Sequence, residues 1–168
     1  MIAGQLKIRT YGSSCLRMPS EQISEIGVSE RMLADALIKA MYEGKGIGLA
    51  APQVGINKQL FVVDIGDGTI AVFNPKIIKT TGEGMMEEGC LCFPNIVVNV
   101  SRPQIIEVEY MDINNQTVKK ILRDLMARVF MHESDHLFGK LIVDYASEKE
   151  LAGLKSQLEE LEQQNKDN

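Results

Sequence analysis

Positive charge, long apolar runs, cysteine and histidine are all scarce in this sequence, and each scarcity excludes something. The 18 Lys and Arg residues are outnumbered by 23 Asp and Glu, for a net charge of −5. With no Lys/Arg cluster to supply phosphate contacts, a domain that grips nucleic acid directly is not expected. No apolar run approaches the roughly 18 residues of a membrane span. The opening MIAGQLKIRTYGSSCLRMPS lacks the apolar centre of a secretory leader and is too mixed for a transit peptide. Three cysteines, Cys15, Cys90 and Cys92, make a poor disulfide framework. The expected location is therefore a reducing cytoplasm, where a cysteine is buried, metal-bound or reactive.

Histidine is scarcest, and its placement is informative. Both histidines of the 168-residue chain fall in HESDH, residues 132–136. The rest of the composition is that of an ordinary globular protein, 45% hydrophobic and 24% charged. At this length folding buries roughly 70% of the unfolded surface, enough for one core.

Along the chain, VSERMLADALIKAMYE (28–43) reads as a helix, capped by Ser29, stapled by Val28 and Leu33, and stopped by Gly44. A glycine-rich loop, GKGIGLAAPQVG, follows. Then come β-prone runs at 59–65, 70–75, 96–100, 105–111 and 116–122, with Asn114-Asn115 as a hairpin turn. A second helix runs from Asp124 to a stop at Gly139. Leu125, Val129, His132 and His136 share one inward stripe on it. A third begins at Ser147, where Ser147 and Glu150 form a capping box, and frays into QQNKDN. The pattern predicts one α+β domain without repeats or linkers.

Residues i and i+4 of a helix lie one turn apart on one face. Two imidazoles so placed can chelate one divalent ion, while the glutamate of H-E-x-x-H stands within reach of a water the ion acidifies. That glutamate can then take a proton and hand it on. Inert core histidines are the plain alternative, but a pair that exhausts the histidine supply at ligand spacing favours metal. The motif does not name the reaction, since many metalloproteases share it. A catalytic site wants three protein ligands and one open position. EEGCLCFP (87–94) offers Cys90 and Cys92, which strand alternation points the same way, so geometry does not choose between them. GIGLAA mimics the dinucleotide fingerprint G-x-G-x-x-A, but a helix precedes it and Pro52 follows within the loop, so that function is rejected. What remains is a loop whose glycines allow a close backbone approach, ending in one amide, Gln53.

Together GIGLAAPQ (46–53), EGCLC (88–92) and HESDHLFG (132–139) resemble, in order and spacing, the three motifs of peptide deformylases. The resemblance spans most of the chain. It implies removal of the formyl group from the N-terminal methionine of nascent polypeptides, with release of formate. It implies one catalytic domain over 1–168, with small antiparallel or mixed sheets around a central HExxH helix. A C-terminal helix and polar tail would occupy 148–168. Cys90, His132 and His136 would be the ligands of one divalent ion, Fe(II) natively, with Zn, Ni or Co in purified protein. Glu133 would be the general acid/base, with the Gln53 amide and the Leu91 N–H as oxyanion partners. The formyl-peptide would lie beside Gly46, Ile47, Gly48 and Gly89, its methionine side chain in a pocket that includes Leu125 and Val129. Glu88 and Arg102 would hold the cysteine segment from behind. The setting implied is the cytoplasm of a bacterium, or of one hosting a phage, close to the ribosome.

The chain departs from the pattern at three places. Met131 stands where Gln is usual, and Cys92 where Ser or Ala is usual. The tail from Glu148 carries six acids against three lysines, where some relatives have a basic helix for ribosome docking. Two rival functions remain open at this level: a zinc peptidase with a different third ligand, and a closed metal module using both Cys90 and Cys92. Cys92→Ser separates the latter. The deformylase assignment predicts that this variant keeps one equivalent of metal by elemental analysis; loss of the metal would point to the closed module.

Overall fold

The computed structural model describes residues 6–166. A short helical turn at Ser14–Arg17 leads to α1 (Val28–Glu43), then β1 (Gly48–Ala50) and β2 (Leu60–Val63). The chain continues through β3 (Ile70–Thr81), β4 (Gly84–Cys90), β5 (Phe93–Arg102), β6 (Ile105–Met111) and β7 (Thr117–Arg123). It closes with α2 (Asp124–Leu137) and α3 (Glu148–Lys166). A five-stranded antiparallel sheet has the order β1-β2-β3-β6-β7, and β4 and β5 form a separate hairpin. The α+β class predicted above is the one observed. No helix among the described residues is long and apolar enough to cross a membrane.

Strand alternation explains the layers. Leu60 and Val62 of β2 pack with Leu33, Leu37 and Met41 of α1. Phe61 and Val63, on the opposite face, pack with Ala127, Val129 and Phe130 of α2. With helices on both sides, every β2 residue is buried, which accounts for its unbroken apolar run. Along β5 the inward residues Ile96, Val98 and Val100 meet Leu141, Ile142 and Leu161 in a third cluster. The helix that carries both histidines is thus held between the large sheet and the hairpin.

Several boundaries differ from the sequence expectation for physical reasons. The N-cap of α1 is Gly27, whose N–H donates to Glu30 Oε2 at 3.2 Å, while Ser29 sits inside the helix and Val28 is exposed. At the other end Gly44 stays right-handed and Lys45 takes the left-handed φ of 57°. Space at 44 is tight, since a Cβ there would lie 3.1 Å from Ile8 Cδ1 and Leu91 Cδ1. The 70–75 run extends as β3 to Thr81, and β1 and β4 were not anticipated as strands. The hairpin turn is present, with Asp112 Oδ1 accepting the N–H of Asn114 at 2.8 Å and of Gln116 at 2.9 Å. The α3 capping box forms as expected, Glu150 accepting the Ser147 N–H at 2.9 Å and donating to its Oγ at 3.3 Å. The helix does not fray at residue 163 but runs to Lys166; the last two tail residues and the first five of the chain lie outside the described residues. Asn165 anchors it, accepting from Ser13 Oγ at 2.8 Å and donating to the Tyr11 carbonyl at 2.8 Å.

Gly139, by contrast, has the left-handed φ of 73° that ends α2, and a Cβ there would sit 2.5 Å from the Arg17 carbonyl oxygen. Gly153 lies inside α3 with nothing within 4 Å of its Cβ position. Gly139→Ala is expected to cost about 2 kcal/mol or more, and Gly153→Ala to gain about 0.5–1 kcal/mol. Urea unfolding of the two variants checks the opposite signs.

Candidate active site

Two elements meet at the site. Helix α2 presents His132 and His136 from one face, their ring centroids 5.1 Å apart. The hairpin brings Cys90, the last residue of β4, to the same place, with Cys90 Sγ 3.3 Å from His136 Nε2. One donor atom from each of the three residues falls within a mutual 4.8 Å. Cys92 is not part of this group: its side chain is fully buried in the turn after Cys90, and its Sγ accepts from Gln53 Nε2 at 3.3 Å. A thiol and two imidazoles suit a divalent ion of borderline softness, and a bound ion would draw the proton from the thiol. Without one, contact with Cys92 and then burial push the Cys90 thiol up to about 11.

His132 is oriented from behind. Its Nδ1 meets Glu88 Oε2 at 2.9 Å, which leaves Nε2 for the metal cradle. Glu88 is itself clamped by Arg102, whose Nε donates to Oε1 at 2.6 Å and Nη2 to Oε2 at 2.9 Å. Burial would raise this carboxyl, but donation from His132 and Arg102 wins and holds it at about 2. The third Arg102 nitrogen reaches Asp135 of α2 at 2.9 Å, and Tyr145 donates to the same Asp135 oxygen at 2.6 Å.

Beside the cradle lies Glu133, only 3% exposed, which burial pushes up to about 7. Its Oε2 has no hydrogen-bond partner among the described residues. Such a carboxyl is placed to meet a water rather than a protein group, and near neutrality it can both take and return a proton. Its room is provided by Gly48, where a Cβ would lie 2.3 Å from Glu133 Oε1. At Gly46 a Cβ would lie 2.8 Å from Leu91 Cδ1. The nearest neighbours of these two positions are side chains, with the Gly48 carbonyl oxygen also 3.3 Å from a Cβ at Gly46. Gln53 Oε1 accepts the Ala50 N–H at 2.7 Å, which turns the amide nitrogen toward the sulfurs of Cys90 and Cys92.

These groups border a cleft of about 570 Å³. Its walls contain Gly46, Ile47, Gly48, Gln53, Glu88, Gly89, Cys90, Leu91, Leu125, Val129, His132 and Glu133. Of the site residues that the resemblance implies, Arg102 and His136 are the two that stand behind the wall, as does Cys92. Leu125, at 43% exposure, faces this cleft rather than the core. Sequence reasoning missed the opposite wall, including Met86, Pro94, Ile96 and Val97, because no motif marks it. It also missed Arg128, one turn before His132, which the spacing that paired the histidines would have found.

An α+β fold in which an HExxH helix faces a thiol on a separate hairpin defines a class, the hydrolases built on a Cys/His/His cradle. Comparison narrows the class to a family. Residues 5–152 match the polypeptide deformylase family. A peptide deformylase of Synechocystis is 43% identical over 145 residues, covering 83% of this chain and 78% of its own. The crystal structure of peptide deformylase from Thermotoga maritima superposes with a TM-score of 0.84 at 39% identity, covering 86% of this chain and 99% of that one. A plant peptide deformylase reaches 0.93 at 36% identity over 99% and 94% of the two chains. The chain belongs to the polypeptide deformylase family. It is a metal-dependent hydrolase that removes the N-formyl group from nascent polypeptides.

The Gly48–Glu133 contact makes a prediction. Gly48→Ala is expected to displace the Glu133 carboxyl and lower turnover by about 100-fold, as losing a positioned base does, with metal content unchanged. Steady-state rates beside elemental analysis decide it. Full activity would mean that Glu133 tolerates the displacement.

Proposed function

We propose that Cys90, His132 and His136 hold one divalent ion and that Glu133, Gln53 and Leu91 carry out deformylation around it. The observation that carries this is the convergence of three donors within 4.8 Å at the wall of one cleft, with a buried carboxyl beside them. When bound, the ion supplies Lewis acidity, making a water acidic enough to attack at neutral pH and polarising the formyl carbonyl. Glu133 takes the proton from the attacking water and passes it to the departing amine nitrogen. The Gln53 amide, fixed by the Ala50 N–H, and the Leu91 N–H donate to the oxygen as it gains charge. One such donor is worth roughly 3 kcal/mol.

The substrate is a formyl-methionine peptide bound in extended form. β1 ends the large sheet and β4 belongs to a two-stranded hairpin, so each has a free edge. The cleft includes residues of both, and a peptide strand can pair with the backbone of Gly46, Ile47, Gly48 and Gly89. The methionine side chain enters the apolar part near Ile47, Leu125 and Val129. A peptide deformylase of Synechococcus elongatus (TM-score 0.87, 39% identity, covering 93% of this chain and 88% of that one) has a crystal structure in complex with actinonin, which supports a ligand site in this fold. Glu88 and Arg102 hold His132 in the tautomer that coordinates. The native ion is Fe(II), for which Zn, Ni or Co can substitute, since the donor set suits all four. The enzyme works in the cytoplasm of a bacterium, encoded there or by a phage, near the ribosome and without direct nucleic-acid binding. The 1–168 span acts as one catalytic domain.

The test is formate release from a formyl-Met tripeptide by protein purified without oxygen and loaded with Fe(II) or Ni(II). Glu133→Gln is expected to retain the metal and to lose at least about 100-fold in turnover. A Glu133→Gln protein that keeps its rate, or a loaded wild type that releases no formate, would contradict the assignment.

A further inference from the structure

The cradle is shared between two bodies that no sheet hydrogen bonds join. Cys90 belongs to the β4–β5 hairpin, and the histidines belong to α2. The ladder is irregular between Gly89 and Cys90, where the pairing jumps from Val97 to Phe93. The backbone pairing of the hairpin therefore does not by itself set where Cys90 stands relative to α2.

From the geometry we propose that Arg128 is a positioning residue that sets this register, an assignment resting on Cys90, His132 and His136 as the ligands. Arg128 is 8% exposed and lies one helical turn before His132. Both grip the same carboxylate two residues from Cys90: Arg128 Nη1 donates to Glu88 Oε1 at 2.7 Å, and His132 Nδ1 meets Oε2 at 2.9 Å. One helix thus holds one carboxylate by both oxygens, which fixes its rotation as well as its distance. Arg128 also crosses to the hairpin backbone at both strands, donating from Nη1 to the Val100 carbonyl at 3.0 Å and from Nη2 to the Gly84 carbonyl at 2.6 Å.

Arg102 does a different task. It lies on β5, so its fork onto Glu88 braces the hairpin internally, and only its bond to Asp135 reaches α2. Arg128 makes three of its bonds across the gap. A lysine there carries its donors on one nitrogen and lacks the planar fork that spans the Glu88, Val100 and Gly84 acceptors, and a methionine donates nothing.

The experiment compares wild type, Arg128→Lys and Arg128→Met loaded with Co(II), reading the sulfur-to-metal charge-transfer band, the metal dissociation constant by chelator competition, and kcat and KM separately. Arg128→Met is expected to shift or weaken the band and lower metal affinity by about 10-fold or more. Its kcat falls while KM stays within about threefold, and Arg128→Lys lies between. An unchanged band and affinity in folded Arg128→Met overturns the proposal. So does a rise in KM alone, which would make Arg128 only a wall of the cleft. Should Arg128→Met not fold, Arg128→Lys decides by the same band and affinity. A wild-type spectrum without any thiolate band would defeat the ligand assignment and this proposal together, whereas a normal wild-type band with unmoved variants defeats this one alone.

Discussion

The Glu88 carboxylate is the constraint on which the site depends. Four donors converge on its two oxygens: two from Arg102, one from Arg128 and the ring of His132. A buried carboxylate with fewer donors would be costly to keep ionised, and a half-satisfied network is worse than none. Here the donors outweigh burial, so the group stays charged and accepts the His132 proton at Nδ1. That fixes the tautomer, and the tautomer decides which nitrogen is left for the proposed metal site.

A second carboxyl, Glu133, behaves in the opposite way. Glu88 and Glu133 are both buried, yet burial lifts only Glu133, because nothing cationic donates to it directly. Two carboxyls thus take two states by environment alone, one a fixed anion behind His132 and the other, in the proposed mechanism, a proton carrier. The glycine at 48 belongs to this division. Without a side chain it leaves β1 able to pass over Glu133 while keeping its free edge toward the cleft.

The sequence disclosed the site more readily than the fold around it. The histidine pair was legible because a helix turns spacing into position, and α2 carried an apolar period that identified it as a helix. Strand β4 was not legible. Its one buried residue is Glu88, while Met85 and Met86 are exposed, so the apolar alternation that marks a half-buried strand is missing where the chain places its chemistry. β1 was hidden for a similar reason, being three residues inside a glycine-rich stretch. Spacing alone leaves Cys90 and Cys92 equivalent; the two-residue turn between β4 and β5 distinguishes them, leaving Cys90 beside the histidines and burying Cys92 against Gln53. Gly44 ends α1 without a left-handed conformation, in a tight space beside Ile8 and Leu91, which no sequence pattern shows.

The central claim is that one thiol and two imidazoles hold a single ion. X-ray absorption on the zinc-loaded protein tests it most directly. The account predicts one sulfur at about 2.3 Å and two imidazole nitrogens at about 2.0–2.1 Å, with one light-atom position left for water. Two sulfurs in the shell would place Cys92 on the metal and close the site, and no sulfur at all would remove Cys90 from it; either result would contradict the account.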